Sequence, residues 1–340
     1  DHIGRKPLLI STVTGNCLCY LSLAFAPNFF IAFVVRLLGG VMSGNSAVVQ
    51  GYIADVTPPE KRAGRMAIMG AAFNVGFIVG PSLGGLLARP ELGIVGFRPP
   101  LLVACALSAM SAAGIALFVR ESRAKAHPTA KRPNRFALLG IAVKHPVVGR
   151  LMLLTFLAGC GFTGIEATFA LWGQHRFGWT PRNVGLIFGF VGLTAAFSQS
   201  FLTGRLSRRY GEAKMLAAGM GLTVLAASMQ PFSTGLPMSA ALMALMAFGQ
   251  SVAFPNVAAL ITRAVEANNR GGFLGLNNAS GAAARVAGPI SAGVVFSAIS
   301  VNAPFVQSAI ITIPAIFLAL AAGKAAHLAR ADVASRAGLP

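Results

Sequence analysis

Charged residues are scarce in this chain of 340 residues: they make up 11% of it, and only nine are acidic. A water-soluble domain carries about 25% charged residues, whereas hydrophobic residues reach 55% here. A chain with so few polar groups cannot cover a water-facing surface, so most of its exterior must face lipid. The composition therefore excludes an ordinary soluble domain.

Cysteine and histidine are also few. The four cysteines all lie inside apolar runs, so the sequence supports neither a disulfide framework nor a zinc site. The five histidines lie in loops or tails, apart from one another, and form no constellation of the kind that an enzyme needs. We therefore expect no metal, no cofactor and no enzymatic activity.

The charge that is present is mostly positive: 28 Lys and Arg give a net charge of +19. Nucleic-acid binding would need a basic face with interleaved aromatic residues. Here the cations form short clusters between long apolar runs, which is typical of the loops of a membrane protein. The sequence therefore predicts a lipid bilayer as the partner, and no nucleic acid.

Ten apolar runs are long enough to cross a membrane, which takes about 20 helical residues for a hydrocarbon core of about 30 Å. We predict helices, because the runs are rich in Ala, Leu and Gly and lack the alternation of barrel strands. The predicted spans are 7–26, 29–53, 66–88, 100–119, 149–172, 183–203, 213–232, 236–262, 272–298 and 303–323.

The positive residues also predict an orientation. If successive spans alternate in direction, 22 of the 28 Lys and Arg fall on one side and four on the other. Cytoplasmic loops carry the excess of positive charge in membrane proteins. We therefore predict a multi-pass protein of the inner cell membrane whose C-terminus is cytoplasmic.

One long polar linker, residues 120–148, divides the runs. It separates an N-terminal bundle of four spans, residues 1–119, from a C-terminal bundle of six spans, residues 149–323. Residues 324–340 form a predicted cytoplasmic tail.

The two bundles carry similar motifs at an offset of 207 or 208 residues, which indicates a parallel internal repeat. On this register, spans 149–172 and 183–203 have no counterpart in the first bundle, and the chain begins with Asp1 rather than Met. We expect two further spans upstream, hence ten of twelve here. The matched positions are Gly4 and Gly211, Arg62 and Arg270, and Gly80-Pro81 and Gly288-Pro289.

Several motifs follow one another along the chain. They are Asp1-His-Ile-Gly-Arg5-Lys6, Arg36-Leu-Leu-Gly-Gly-Val-Met-Ser-Gly44, Tyr52-Ile-Ala-Asp55-Val-Thr-Pro-Pro-Glu-Lys-Arg62, Gly76-Phe-Ile-Val-Gly80-Pro81-Ser-Leu-Gly84-Gly85, Glu166-Ala-Thr-Phe-Ala-Leu-Trp172 and Gly204-Arg-Leu-Ser-Arg-Arg-Tyr-Gly211. In this order they resemble the major facilitator superfamily, and in particular its drug/proton antiporters of the tetracycline-resistance type. The resemblance implies an all-α polytopic membrane fold of two pseudo-symmetric six-helix bundles.

The resemblance also implies a cytoplasmic latch. Arg5 would pair with Asp55, and Asp1 would approach the start of the span at Gly271, where the helix amino end favours a carboxylate. Such contacts form only while the inner side is closed, so they would favour the outward-open state. In the second bundle, Glu212 takes the position of Arg5, so that latch is either reversed in charge or absent.

The motif from Gly76 to Gly85, in the span that would be the fifth of twelve, provides a stripe of small residues. Gly76, Gly80 and Gly84 repeat every four residues, followed by Gly85, and such a stripe lets another helix approach closely. Pro81 removes a helical hydrogen bond and permits a bend. Helix packing alone would explain this pattern, whereas the resemblance implies that the motif limits leak in antiporters.

Three charged residues lie well inside predicted spans: Arg36, Glu166 and Arg285. Each costs about 2.5–3.5 kcal/mol to insert unless it faces a cavity or a partner. A buried carboxyl group that gains and loses a proton suits proton coupling, so we assign this role to Glu166 with Arg285 as its partner. The resemblance links Arg36 to proton coupling as well. The alternative is a static ion pair that only fixes helix packing.

Four further residues are candidates for substrate binding. Gln250 and Asn256 flank Pro255 in a span that lines the cavity in the family fold, and Phe162 and Phe169 could form an aromatic wall. Hydrogen bonds between helices would be the alternative use of the two amides.

These residues together predict a secondary transporter that works by alternating access, most simply a monomer that exports amphipathic drug-like compounds in exchange for protons. A sugar or metabolite transporter of the same fold remains an alternative. A truncated fragment without transport activity is another.

Overall fold

The computed structural model describes residues 4–43, 45–122, 135–265 and 270–336, and Asp1 lies outside these residues. Within them the chain is helical. The helices are α1 Arg5–Ala24, α2 Phe29–Met42, α3 Ser46–Val56, α4 Pro59–Leu87, α5 Arg98–Phe118, α6 Arg135–Lys144, α7 Val148–Phe177, α8 Pro181–Phe197, α9 Thr203–Tyr210, α10 Glu212–Met229, α11 Leu236–Ala264, α12 Arg270–Ala298 and α13 Ala303–Arg336. The prediction of an all-α polytopic membrane protein is thereby confirmed.

Nine stretches of helix in the described part of the chain are long and apolar enough to cross a membrane. The difference from the ten predicted spans lies at 29–53, where α2 has 14 residues and α3 has 11. α2 begins where the side chain of Asn28 accepts a hydrogen bond from the backbone N–H of Ile31 at 3.0 Å. It ends after Gly39-Gly40, residues of low helix propensity.

The contacts divide the chain into two compact units: residues 1–131 with 180–186, and residues 132–179 with 187–340. In the first unit, α1 packs against α5 and α2. In the second unit, α10 packs against α11 and α13. α10 and α13 lie about 208 residues beyond α1 and α5, so the repeat seen in the sequence recurs as the same helix pairing in each unit.

The core of the second unit is built around α7, which packs on α12 and α13. Fully buried side chains of several helices meet there, and they include Leu151, Leu154, Leu216, Met220 and Ile261. Small residues bring the backbones together, because lipid offers no hydrophobic force that would drive two apolar helices into contact. α7 ends at Gly178, whose φ of 66° is the left-handed conformation that glycine adopts most readily.

His145 begins α7. Its Nδ1 accepts hydrogen bonds from the backbone N–H groups of Val147 and Val148, each at 3.3 Å, and a ring nitrogen that accepts must be unprotonated. Burial lowers the pKa of His145 below 6.5, and a hydrogen bond with the backbone of Ala264 offsets part of this effect. The cap therefore depends on a neutral imidazole.

We expect the folded state to lose stability in acid through His145. Above pH 6.5, the pKa of the unfolded form, the contribution is complete. Below pH 6.5, His145 is protonated in the unfolded chain but stays neutral in the folded chain. The free energy of unfolding therefore falls, by up to about 1.4 kcal/mol per pH unit, until the pH reaches the pKa of the folded form. Thermal unfolding of the purified chain in detergent, from about pH 8 to about pH 5, measures this.

His145→Gln keeps a side-chain acceptor but does not titrate, so this part of the pH dependence should disappear. His175→Gln is the control, because it leaves the α7 cap in place. If His145→Gln and the parent chain lost stability in parallel, His145 would not be the group responsible.

Candidate functional site

The candidate site is positioned by the contact between α7 and α12. A Cβ on Gly288 would lie 2.6 Å from the carbonyl oxygen of Cys160 and would also collide with Oγ1 of Thr163. Only glycine therefore permits this crossing. The Thr163 hydroxyl donates to the carbonyl oxygens of Gly159 at 2.8 Å and of Ala284 at 3.2 Å, which satisfies it within the same contact.

Glu166 and Arg285 lie on these two helices beside the crossing. Glu166 is half-buried, Arg285 is exposed, and the two side chains interact electrostatically. Among the described residues, no ion pair within 4.0 Å joins them. Arg285 therefore acts on Glu166 at a distance, so the carboxyl group can change charge without breaking a direct contact.

The two aromatic candidates on α7 have different surroundings. Phe162 is half-buried. Phe169 is 0% exposed, and its ring lies between the rings of Trp172, Trp179 and Phe188, with centroids 5.7 to 5.9 Å away. In this conformation Phe169 belongs to a closed aromatic cluster. The sequence reading missed the cluster, because Trp179 and Phe188 lie beyond the end of α7.

The two amide candidates on α11 also differ. Asn256 is buried, and its Nδ2 donates to the carbonyl oxygen of Val252 at 2.7 Å, one turn earlier in the same helix. Gln250 is 7% exposed, and both polar atoms of its amide lack a partner among the described residues. Buried polar groups are normally hydrogen-bonded, so the Gln250 amide is available to a ligand or to water.

Arg36 lines a cavity of about 200 Å³ in the first unit. α1 contributes Asn16 and Tyr20 to its wall, and Ser43, the residue that directly follows α2, contributes a hydroxyl group. The cavity combines a cation with hydroxyl and amide groups, so it is suited to a small polar or anionic group.

The predicted latch residues that the structure describes are in contact. Arg5 Nε donates to Asp55 Oδ2 at 2.7 Å, and the Ser122 hydroxyl donates to the same oxygen at 3.4 Å. The Glu121 carboxylate accepts from the backbone N–H groups of Arg5 at 2.9 Å and Lys6 at 3.0 Å. Glu121 is a residue that the sequence reading missed; a lone carboxylate at the start of the basic linker was the available signal.

The second unit contains a pair with the opposite polarity. Glu212 forms an ion pair with Arg263, and these residues lie 207 and 208 positions beyond Arg5 and Asp55. Arg5 and Glu212 are each the first residue of a helix, and each directly follows a glycine with positive φ, 91° at Gly4 and 86° at Gly211. Of the two sequence alternatives, the reversed pairing describes this geometry.

The motif from Gly76 to Gly85 lies on α4. An added Cβ would meet no described atom within 4 Å at Gly76, Gly80 or Gly84, whereas at Gly85 it would collide with the carbonyl oxygen of Pro181. Pro81 lies inside the helix, and its carbonyl oxygen would be 2.8 Å from a Cβ on Gly185. In this conformation the close contact is therefore made at the Pro81 and Gly85 end of the motif.

Comparisons with known proteins show which family this chain resembles. The family model described as Major Facilitator Superfamily matches residues 1–227 and 151–336. The class C tetracycline resistance protein of Escherichia coli is 28% identical over 88% of this chain and 74% of its own length. The class G protein of Vibrio anguillarum is 30% identical over 88% and 75%. Multidrug resistance protein 2 of Bacillus subtilis is 27% identical over 94% and 80%.

Solved structures share the fold. The crystal structure of the human organic anion transporter MFSD10 (TETRAN) is similar with a TM-score of 0.69 and 25% identity, over 93% of this chain and 77% of that one. A bacterial homologue of the human lysosomal transporter Spinster, in an inward-facing and occupied conformation, has a TM-score of 0.66 at 15% identity, over 97% and 82%. The latter likeness concerns the fold alone.

We expect both charged pairs to show a measurable coupling energy. In a double-mutant cycle, Arg5→Ala and Asp55→Ala should couple by about 0.5–1 kcal/mol, as a partly exposed ion pair does. The coupling of Glu212→Ala with Arg263→Ala should be smaller, because Arg263 is 48% exposed. Thermal unfolding in detergent at low salt measures both, and high salt should weaken both. Independent effects of the two substitutions in each cycle would contradict the pairing.

Proposed function

Because this chain belongs to the Major Facilitator Superfamily, we propose that it exports amphipathic drug-like compounds in exchange for protons. Family membership makes it a multi-pass membrane protein and a secondary transporter of small molecules rather than an enzyme. The names of the tetracycline and multidrug resistance relatives support the proposed substrate class.

The observation that supports proton coupling is the position of Glu166 inside a membrane span. This carboxyl group lies in the interior of a 30-residue span, half-buried and within the electrostatic influence of Arg285. An acidic group inside a membrane is costly, so it is most readily explained by a function. The absence of a direct ion pair supports a titrating role over a static one.

The proposed cycle uses two charge states of this carboxyl. When the site faces outward, Glu166 takes up a proton and its attraction to Arg285 ends. When the site faces inward, the proton leaves to the cytoplasm, and the carboxylate again attracts Arg285 or a cationic group of the substrate. When the exported substrate is neutral, inward movement of one proton supplies about 2.3 kcal/mol per 100 mV of membrane potential, and this drives export by alternating access. When the substrate carries one positive charge, a one-for-one exchange moves no net charge, and the pH gradient drives export.

The substrate would contact the buried side of α7 and α11. The unpartnered amide of Gln250 supplies a donor and an acceptor, and the half-buried Phe162 supplies an apolar face. We include Asn256 and Phe169 only for a conformation that differs from this one, since here Asn256 bonds within its helix and Phe169 is enclosed.

The remaining assignments complete the proposal. Arg36, with Arg285, assists proton coupling, and Arg5 and Asp55 form the latch with Asp1. The motif from Gly76 to Gly85 limits leak. The side richer in cations is cytoplasmic, so the C-terminus faces the cytoplasm of a monomer in the inner membrane. The bundles span 1–119 and 149–323, with 120–148 as linker and 324–340 as tail.

A second candidate function is export of an organic anion. The human relative MFSD10 is named an organic anion transporter. The specific observation in favour is Arg36 in its polar cavity. Competition of anionic and cationic compounds for export would separate the two candidates.

We expect Glu166→Gln to abolish proton-driven export, because an amide cannot exchange a proton near neutral pH. Proton-driven uptake of substrate into energised inverted vesicles, which corresponds to export from the cell, should fall by about 100-fold or more, as for loss of a general acid or base. Downhill exchange of substrate should persist, since the fold and the binding groups remain. Glu91→Gln, in a short helical segment between α4 and α5, is the matched control. Proton-driven export at the parental rate in Glu166→Gln would refute the assignment.

We expect Gln250→Leu to separate binding from stability. Removal of a buried amide without partners should leave thermal stability unchanged or raise it, by up to about 1–3 kcal/mol. Because the proposed site has this amide contact the substrate, the KM for export should rise by about fivefold, since one neutral hydrogen bond is worth about 1 kcal/mol. Asn256→Leu, which breaks an intrahelical bond, is the comparison. An unchanged KM in Gln250→Leu would exclude Gln250 from the binding site.

A further inference from the structure

A groove of about 550 Å³ lies in the second unit, and neither Glu166 nor Arg285 is among its lining residues. It is formed where α6 leads into α7, beside α12 and α13. Within the described part of the chain, its lining contains three basic side chains and no acidic one. The lining residues are Val143, Lys144, His145, Pro146, Gly149, Arg150, Met152, Leu153, Phe156, Ser280, Ala283 and Leu318.

The positive charge of the groove comes from two of the basic residues. Arg150 is anchored, because its Nη1 donates to the carbonyl oxygen of Ala321 at 3.1 Å. Lys144 ends α6 and is exposed. His145 contributes no charge in its capping role, because its Nδ1 accepts backbone hydrogen bonds. An anionic group between Lys144 and Arg150 would therefore meet two cations, with no carboxylate among the lining residues that the structure describes.

The rest of the groove is apolar and open. Met152, Leu153, Phe156 and Leu318 line it, and Leu153 is largely exposed. Its volume lies within the range of small-molecule sites, about 300–1,000 Å³. The site thus joins a cationic end to an apolar channel, which is the chemistry of an anionic amphiphile.

α6 indicates where this amphiphile comes from. The helix has 10 residues, too few to cross a membrane, yet its Leu139, Ile141 and Val143 are exposed, Val143 by 63%. Ala142 is fully buried against the unit. α6 and His145 precede α7, which is long enough to cross a membrane, so their side chains lie beyond the end of a span, where the hydrocarbon core meets the headgroups. The groove therefore opens at the level of lipid headgroups.

We propose that this groove binds an anionic phospholipid, with its phosphate between Lys144 and Arg150 and an acyl chain along Leu153, Phe156 and Leu318. Basic pockets between membrane helices at a cation-rich surface bind anionic headgroups in this way. The inference depends on the membrane location that family membership establishes and does not depend on the transported substrate.

The first experiment compares phosphatidylglycerol with phosphatidylcholine of the same acyl chains, titrated into the purified full chain in detergent and counted by native mass spectrometry. The parent chain should bind phosphatidylglycerol more tightly. Lys144→Gln with Arg150→Gln should weaken this binding by about 30-fold, from roughly fivefold for each cation near the headgroup, and bring it to the level of phosphatidylcholine.

The matched control is Arg208→Gln with Lys214→Gln. It removes the same charge from the same predicted side of the membrane, away from the groove, and should keep the preference. Equal binding of the two lipids by the parent chain would overturn the proposal, as would an unchanged preference in the Lys144 and Arg150 variant.

A second variant tests the apolar part without changing charge. Ala283 is exposed in the groove, so Ala283→Phe should fill it and abolish the preference for phosphatidylglycerol while thermal unfolding remains cooperative. If the Lys144 and Arg150 variant fails to fold, Ala283→Phe still tests whether a lipid occupies the groove. Competition by inorganic phosphate as effective as that by phosphatidylglycerol, or full lipid binding in Ala283→Phe, would show that no acyl chain occupies the groove and would refute the lipid assignment.

Discussion

The close approach of α7 and α12 is the interaction on which the candidate site depends. Apolar helices gain little from hydrophobic burial in lipid, so their association requires short backbone distances and interhelical hydrogen bonds. Gly288 permits the short backbone distance, and the Thr163 hydroxyl provides the interhelical hydrogen bond by donating to the carbonyl oxygen of Ala284. This contact brings Glu166 and Arg285 within electrostatic range but leaves them without a direct ion pair. A larger side chain at Gly288 would separate the helices and with them the two charges.

The two units contain ion pairs at equivalent positions, but the positive and negative residues are exchanged. Coulomb attraction does not depend on which partner is positive, but a helix amino end favours an acidic group. In the second unit Glu212 itself is that acidic group, in the first turn of α10. In the first unit Arg5 occupies the equivalent place, and Glu121 supplies the carboxylate to the free N–H groups of α1. The reversal of polarity therefore has a structural consequence: it attaches the start of the linker to α1.

Sequence reasoning was most successful where a strong local energy decides the outcome. The cost of placing charge in lipid makes the spans evident. The family resemblance implied the contact of Arg5 with Asp55, and the nearly constant repeat offset placed Glu212 at the position of Arg5. The partner of Glu212, Arg263, was found only in the structure. It was less successful at 29–53, where hydropathy indicates a single span but helix propensity falls after Gly39-Gly40 and the helix divides. Hydropathy averages over a window and is insensitive to such a break.

The sequence by itself determined that this chain is a helical membrane protein of its family, because the scarcity of charge and the order of the motifs are properties of the chain alone. Only the tertiary structure decided which candidates have partners. Phe162 and Phe169 lie about two turns apart on α7, yet one is half-buried and the other is enclosed by rings that include two from beyond the helix. Asn256 bonds within α11 and Gln250 does not. The reason is physical: a side chain's free energy depends on neighbours brought from distant positions by helix packing, and periodicity along one helix does not contain them.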